Sequence, residues 1–143
     1  MLEKIGDLWE HTGTIGVTTN GVVRENNELV MGKGIALQAK QRFPTLPFEL
    51  GCYVLKYGNR VFYLKQHNLL SFPTKKDWRS ISDIKLIVQS AQQAMQVADK
   101  FGLSSVGLPP PGCGNGGLTW DFVQPYVADI LDDRFVVYFK RVV

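Results

Sequence analysis

Residues 82–102, SDIKLIVQSAQQAMQVADKFG, constrain this chain more than any other stretch. Ile84, Ile87, Val88, Ala91, Ala94, Met95, Ala98 and Phe101 recur at helical spacing, which gives a long helix with one apolar stripe. Such a stripe requires a second layer to cover it. Ser82 stands at the N-cap position, with Lys85 where a complete capping box would carry an acid, and Gly102 stands where the helix ends. The next segment, SSVGLP (104–109), is short and apolar and reads as a strand of the sheet that this helix covers.

The same alternation runs through the rest of the chain. TIGVTTN (14–20) is β-branched and reads as a buried strand. KGIALQAKQRF (33–43) reads as a helix that stops at Pro44. CYVLKYGNRVFYLK (52–65) reads as two strands around a Gly58-Asn59 turn. TWDFVQPYVADIL (119–131) reads as a helix in which Pro125 forces a kink or a late start, and RFVVYFKRVV (134–143) as a final strand. Strands alternating with helices predict an α/β sandwich with a largely parallel sheet and one antiparallel hairpin. The 143 residues suit one domain, 1–143, and a monomer is expected.

Composition narrows the function. The net charge of +3 favours an anionic ligand without identifying nucleic acid as one. Cys52 and Cys113 are too few for a disulfide framework and lack metal-ligand spacing, so no metal and no cofactor are expected. No apolar run is long enough to cross a membrane. The N-terminal MLEKIGDLWE carries charges where a signal peptide needs an apolar core, so the expected location is cytoplasmic.

Two glycine-bearing segments sit where such sheets bind ligands, beyond the carboxyl ends of strands. One is VMGKGIA, ahead of the first helix; the other is LPPPGCGNGGLTW (108–120), between a strand and a helix. Helix N-termini present unpaired N–H groups, and glycines let an anion approach them. Two such loops suit a ligand with more than one phosphate. MGKGIA lacks P-loop spacing, and the G-x-G-x-x-G match at Gly112, Gly114 and Gly117 comes too late in the chain to open a dinucleotide fold.

Taken together and in this order, GDLWEHTGTIGVTTNG, VMGKGIALQAKQRFP, FPTKKDW and GLPPPGCGNGGLTW resemble the macrodomain family, the ADP-ribose-binding three-layer α/β/α fold. The resemblance covers nearly the whole chain. It is strongest to the branch of terminal ADP-ribose glycohydrolases and of antitoxins that remove ADP-ribose from DNA. It implies that Asp7, beside Leu8, accepts a hydrogen bond from the adenine amino group, and that Asn20 lies near the distal ribose. It implies that Gly32, Gly34 and Ile35 form a first loop against the distal ribose and diphosphate. Gly112, Cys113, Gly114, Asn115, Gly116, Gly117 and Leu118 would form a second loop whose N–H groups hold the diphosphate. Lys75 matches a catalytic lysine that attacks the anomeric carbon. The aspartate that assists it in the protein-directed enzymes is here Gly116, a departure shared with the DNA-directed branch.

The resemblance thus implies hydrolysis of an ADP-ribosylated substrate, an ADP-ribosylated DNA base, with single-stranded DNA and a toxin as partners. Two alternatives are a reader that binds ADP-ribose without cleaving it and a phosphatase acting on ADP-ribose 1″-phosphate. Without the resemblance, Lys75 reads as a surface lysine in the basic segment TKKDWR. Lys76 and Arg79 read as solvated or phosphate-facing, and Trp78 as a surface on which a base can stack. Cys113 reads as a small loop residue, Trp120 as core packing, and His11 and His67 as polar, partly buried side chains.

Overall fold

The computed structural model describes residues 1–141. Six strands form one mixed sheet: β1 (Leu2–Ile5), β2 (Thr14–Thr19), β3 (Phe62–Leu64), β4 (Leu69–Pro73), β5 (Val106–Leu108) and β6 (Phe135–Phe139). Their order is β1-β6-β5-β2-β4-β3. Every neighbouring pair is parallel except β3–β4. Four helices cover the sheet: α1 (Gly34–Arg42), α2 (Leu46–Tyr57), α3 (Ile84–Phe101) and α4 (Trp120–Ala128).

The strand period of two sorts the core into two halves. Leu70 and Phe72 of β4 face α3 and α4, where they meet Ile87, Ala91, Ala94, Val123 and Val127. Leu69 of β4 and Val17 of β2 face the other way, against Ala36, Ala39, Leu46 and Leu50 of α1 and α2. The result is the expected three-layer α/β/α sandwich.

Several local readings need correction. The segment 52–57 is the end of α2, so no hairpin surrounds Gly58-Asn59; Gly58 (φ 93°) closes the helix, and the antiparallel pair is β3–β4. Tertiary burial of Leu46 and Leu50, spaced i and i+4, overrides the strand propensity of CYVLKY. The N-cap of α3 is Asp83, whose carboxylate accepts from Lys85 N at 2.9 Å, while Ser82 lies just outside the helix. Gly102 does end α3, in a left-handed conformation (φ 63°). α4 starts without delay at Trp120, capped by Thr119, and runs through Pro125. Two strands escaped the sequence reading, β1 and β4. Of the final strand, Val142 and Val143 lie outside the described residues.

Candidate functional site

The five parallel strands all end on one side of the sheet, and the segments that follow them converge there. Gly6–Glu10 after β1, Asn20 after β2, Thr74 and Lys75 after β4, Pro109–Pro110 and Gly112–Gly117 after β5 and Lys140–Arg141 after β6 line one cleft of about 1500 Å³. It exceeds the roughly 300–1000 Å³ of most small-molecule pockets.

Asn20 fixes the first wall. Its side chain is buried, donating to Val30 O at 2.8 Å and accepting from Val22 N at 2.9 Å. The end of β2 is thereby tied to the segment that leads into Gly32 and α1. Lys33 caps α1 without a side-chain hydrogen bond, so the first-turn amides of Gly34, Ile35 and Ala36 stay open toward the cleft. Gly34 adopts φ 56°, and Asn115 Nδ2 lies 3.1 Å from where its Cβ would stand. The two glycine loops therefore touch.

The second loop is shaped by internal bonds and left-handed glycines. Gly112, Gly114 and Gly117 have φ of 78°, 67° and 80°. Leu118 N donates to Gly112 O at 3.0 Å and closes the loop on itself; Gly117 N donates to Gly114 O at 3.0 Å and Gly116 N to Cys113 O at 3.3 Å. The N–H groups of Gly114 and Asn115 open this 3-10 turn and have no protein acceptor among the described residues. They form a small nest of the kind that binds oxyanions. Leu118 itself departs from the expectation: its side chain packs on the core beside α3 and α4 and does not line the cleft.

Gly116 is more than a spacer. Its N–H and C=O are both engaged, the carbonyl accepting from Ser82 N at 2.8 Å. A Cβ on it would stand 2.4 Å from Ser82 Oγ. Ser82 fills the space that a side chain at 116 would use, and its buried hydroxyl has no hydrogen-bond partner among the described residues.

Lys75 bridges the end of β4 and the second loop. Its Nζ donates to Asn115 O at 3.1 Å and to Trp78 O at 3.4 Å. Its own carbonyl accepts from Asn59 Nδ2 at 3.1 Å, and that of Lys76 accepts from Gly21 N at 3.1 Å. The ammonium is thus held against the loop whose amides face the cleft. Arg79 forms a forked pair with Asp77 (Nε–Oδ1 2.9 Å, Nη2–Oδ2 2.6 Å), which pulls the Asp77 carboxyl down to about 2. Of the two basic residues expected to face phosphate, Arg79 is already paired.

Asp7 caps a 3-10 turn (Leu8–Glu10), its Oδ1 accepting from Trp9 N at 2.9 Å, and Leu8 packs beneath it. Trp9 was missed by sequence reasoning. Its indole donates to Gln38 Oε1 at 2.7 Å, and the Arg42 guanidinium lies 4.3 Å from its ring centroid. Adjacency to Asp7 was the one available signal; Gln38 and Arg42 carried none. Behind this wall His11 pairs with Tyr138 Oη at 2.7 Å and Ser105 Oγ at 3.0 Å. Burial pushes the His11 pKa below its ordinary 6.5, against an opposing hydrogen bond to the Ser105 backbone. Burial also raises the Cys113 thiol pKa, which suits a loop residue better than a nucleophile.

Charge is segregated. Seven of the sixteen Lys and Arg residues line the cleft but only two of the thirteen acids, Asp7 and Glu10. The rest of the chain carries nine bases against eleven acids, so the positive excess belongs to the cleft. Among the described residues no three His, Cys, Asp or Glu side chains gather as a metal site would need. Among the described residues no helix is long and apolar enough to cross a membrane.

No family model matches the chain. It is 37% identical over 107 residues to a DNA ADP-ribosyl glycohydrolase of Mycobacterium tuberculosis, covering 66% of this chain and 30% of the relative. It is 31% identical over 144 residues to a DNA ADP-ribosyl transferase-DNA ADP-ribosyl glycohydrolase fusion protein of Thermosipho africanus, covering 84% and 35%. The chain thus spans about a third of the length of these relatives. Among solved structures, the macrodomain of M. tuberculosis DarG superposes with a TM-score of 0.80 at 28% identity, over 96% of this chain and 97% of that one. T. africanus DarTG in complex with ADP-ribose superposes with a TM-score of 0.79 at 26% identity, over 96% of this chain and 40% of that one.

Proposed function

Because this chain belongs to the macrodomain family, in the branch of the DNA ADP-ribosyl glycohydrolase DarG, we propose that it binds ADP-ribose and releases it from an ADP-ribosylated DNA base through Lys75. The observation that carries the reading is the bond from Lys75 Nζ to Asn115 O, 3.1 Å long. It holds a primary amine against one of the two loops whose free amides suit a diphosphate.

In this reading adenine lies against Leu8, with its amino group donated to the Asp7 oxygen that the turn leaves free. The diphosphate spans the amides of Gly34–Ala36 and the nest at Gly114–Asn115, where the glycines at 34 and 114 leave the backbone open to it. The distal ribose then reaches Asn20 and the amine of Lys75. Lys75 exchanges one carbonyl for the substrate and gives a proton to water. Its lone pair attacks the anomeric carbon as the glycosidic bond breaks, and the base leaves with the bonding pair and takes up a proton. Water then attacks the same carbon, freeing ADP-ribose and restoring the amine. The sum is substrate plus water giving ADP-ribose and an unmodified base. The enzyme that makes the substrate, a DNA ADP-ribosyl transferase, is the toxin counterpart; the fusion of both activities in the T. africanus relative supports that partnership.

The test is a single-stranded oligonucleotide carrying one ADP-ribosylated thymine, followed by gel shift. Wild type should return the unmodified strand, and Lys75→Ala should leave it modified. Tight ADP-ribose binding with no cleavage by either protein would instead make the chain a reader.

A further inference from the structure

Four of the large exposed hydrophobics lie on the outer face of α2: Phe48, Tyr53, Leu55 and Tyr57. Two others belong to the cleft. Trp78 is 45% exposed and Ile81 69% exposed, and both line its mouth. Large apolar side chains at the rim of a cationic cleft have no role in holding a diphosphate. We propose that Trp78 and Ile81 form a ledge on which an unpaired nucleobase stacks beside the scissile bond, so that the protein grips the DNA strand as well as the ADP-ribose. The proposal rests on the functional reading above and adds a site for the strand.

Three observations place the ledge. First, Lys75 Nζ lies 3.4 Å from the carbonyl of Trp78 itself, so the residue adjoins the amine that would meet the anomeric carbon. A group leaving that carbon away from the diphosphate departs toward this rim. Second, the ledge is held. Asp77 accepts from Arg79 N at 2.9 Å and its carbonyl from Ser80 N at 3.1 Å, while Ile81 rests on Gly117, where a Cβ would meet it at 3.4 Å. A held turn has less backbone freedom to lose when a base lands on its side chains. Third, the surroundings suit a polyanion. Arg79, 5.6 Å from the Trp78 ring centroid, is spent on Asp77, but Lys76 is exposed and makes no ion pair among the described residues. An exposed indole on the same loop as a free ammonium suits single strands: stacking accepts any base, and the cation tracks the phosphates. A base inside a duplex has no free face to offer, so the occupant is a single strand.

Three ligands distinguish the outcomes in wild type, Trp78→Ala and Trp78→Phe: free ADP-ribose by calorimetry, the ADP-ribosylated single strand by steady-state kinetics, and an ADP-ribosylated peptide by calorimetry. Trp78→Ala should raise KM for the strand about 5- to 150-fold, the range of one lost base stack, with kcat changed less. Its affinity for free ADP-ribose should match wild type, and Trp78→Phe should recover most of the KM. An unchanged KM with normal ADP-ribose binding overturns the ledge and leaves the proposed function standing. An equal loss for free ADP-ribose, or for the peptide, overturns it too, because Trp78 would then serve the sugar or a protein target. If wild type fails to bind ADP-ribose at all, the functional reading falls and takes the ledge with it.

Discussion

Adding one methyl group, Gly116→Ala, tests how the glycine loop is seated. The new Cβ would stand 2.4 Å from Ser82 Oγ, about 1 Å inside contact distance, and 3.4 Å from Ser82 Cβ, an ordinary contact. Ser82 is buried and its N–H is bonded to Gly116 O at 2.8 Å, so neither residue moves freely. Relief of the overlap should cost about 1–3 kcal/mol, as overpacking does elsewhere. Ser82→Ala alone removes a buried hydroxyl that has no partner and should shift stability by less than about 1 kcal/mol. The double variant should regain most of the loss, giving a coupling of about 1–2 kcal/mol, well outside the scatter of independent sites. Urea denaturation at constant slope measures all four corners of the cycle. A Gly116→Ala protein as stable as wild type, or strictly additive losses, would show that Ser82 does not occupy the place of a side chain at 116. The result bears on chemistry, because an aspartate at 116 would be admitted only with Ser82 shortened. Gly116→Asp should therefore fold well in the Ser82→Ala background and poorly without it.

Asp7→Ala should weaken ADP-ribose binding by about 1.5–3 kcal/mol, the scale of a hydrogen bond to a charged group, and calorimetry showing wild-type affinity would move adenine elsewhere. His11 has a folded pKa below 6.5, so the unfolded chain takes up the proton first and stability falls as pH drops below 6.5. Thermal melts across that window should show the decline in wild type and a flatter profile in His11→Gln. Exposed Cys52 should react with a thiol reagent before half-buried Cys113, whose pKa is raised, and mass spectrometry of the modified peptides gives the order. ADP-ribose should slow the reaction of Cys113 further and leave Cys52 untouched.

The elements legible in the sequence were those whose burial is written in their own residues. α3 announces itself by an apolar stripe, and β2 by a β-branched run buried on both faces. β1 is LEKI, exposed at every position, and is a strand only because β6 lies beside it, Leu2 against Val136 through Ile5 against Phe139. α2 was misread for a related reason. Gly51, mid-helix, would put a Cβ 1.8 Å from Asn27 O, so the helix depends on a backbone approach from a turn more than twenty residues earlier. The site divides the same way. The glycines of both loops could be seen in sequence because each loop has a local backbone need. The seat of Gly116 on Ser82, the bond of Trp9 to Gln38 and the bridge from Lys75 to Asn115 join residues 29 or more positions apart and exist only once the sheet has formed.

The placement of seven cations around one opening, one of them paired with Asp77, over a body that is slightly acidic, makes the molecule electrically lopsided. A polyanion diffusing nearby feels a torque before it feels contact, and collisions are biased toward the cationic face. Such steering acts on the association rate and decays over a Debye length of about 8 Å at physiological ionic strength, so added salt slows capture far more than it hastens release. In the proposed function, a small chain with a net charge of only +3 would in this way search for a rare lesion on an abundant polymer without adhering to every stretch of it.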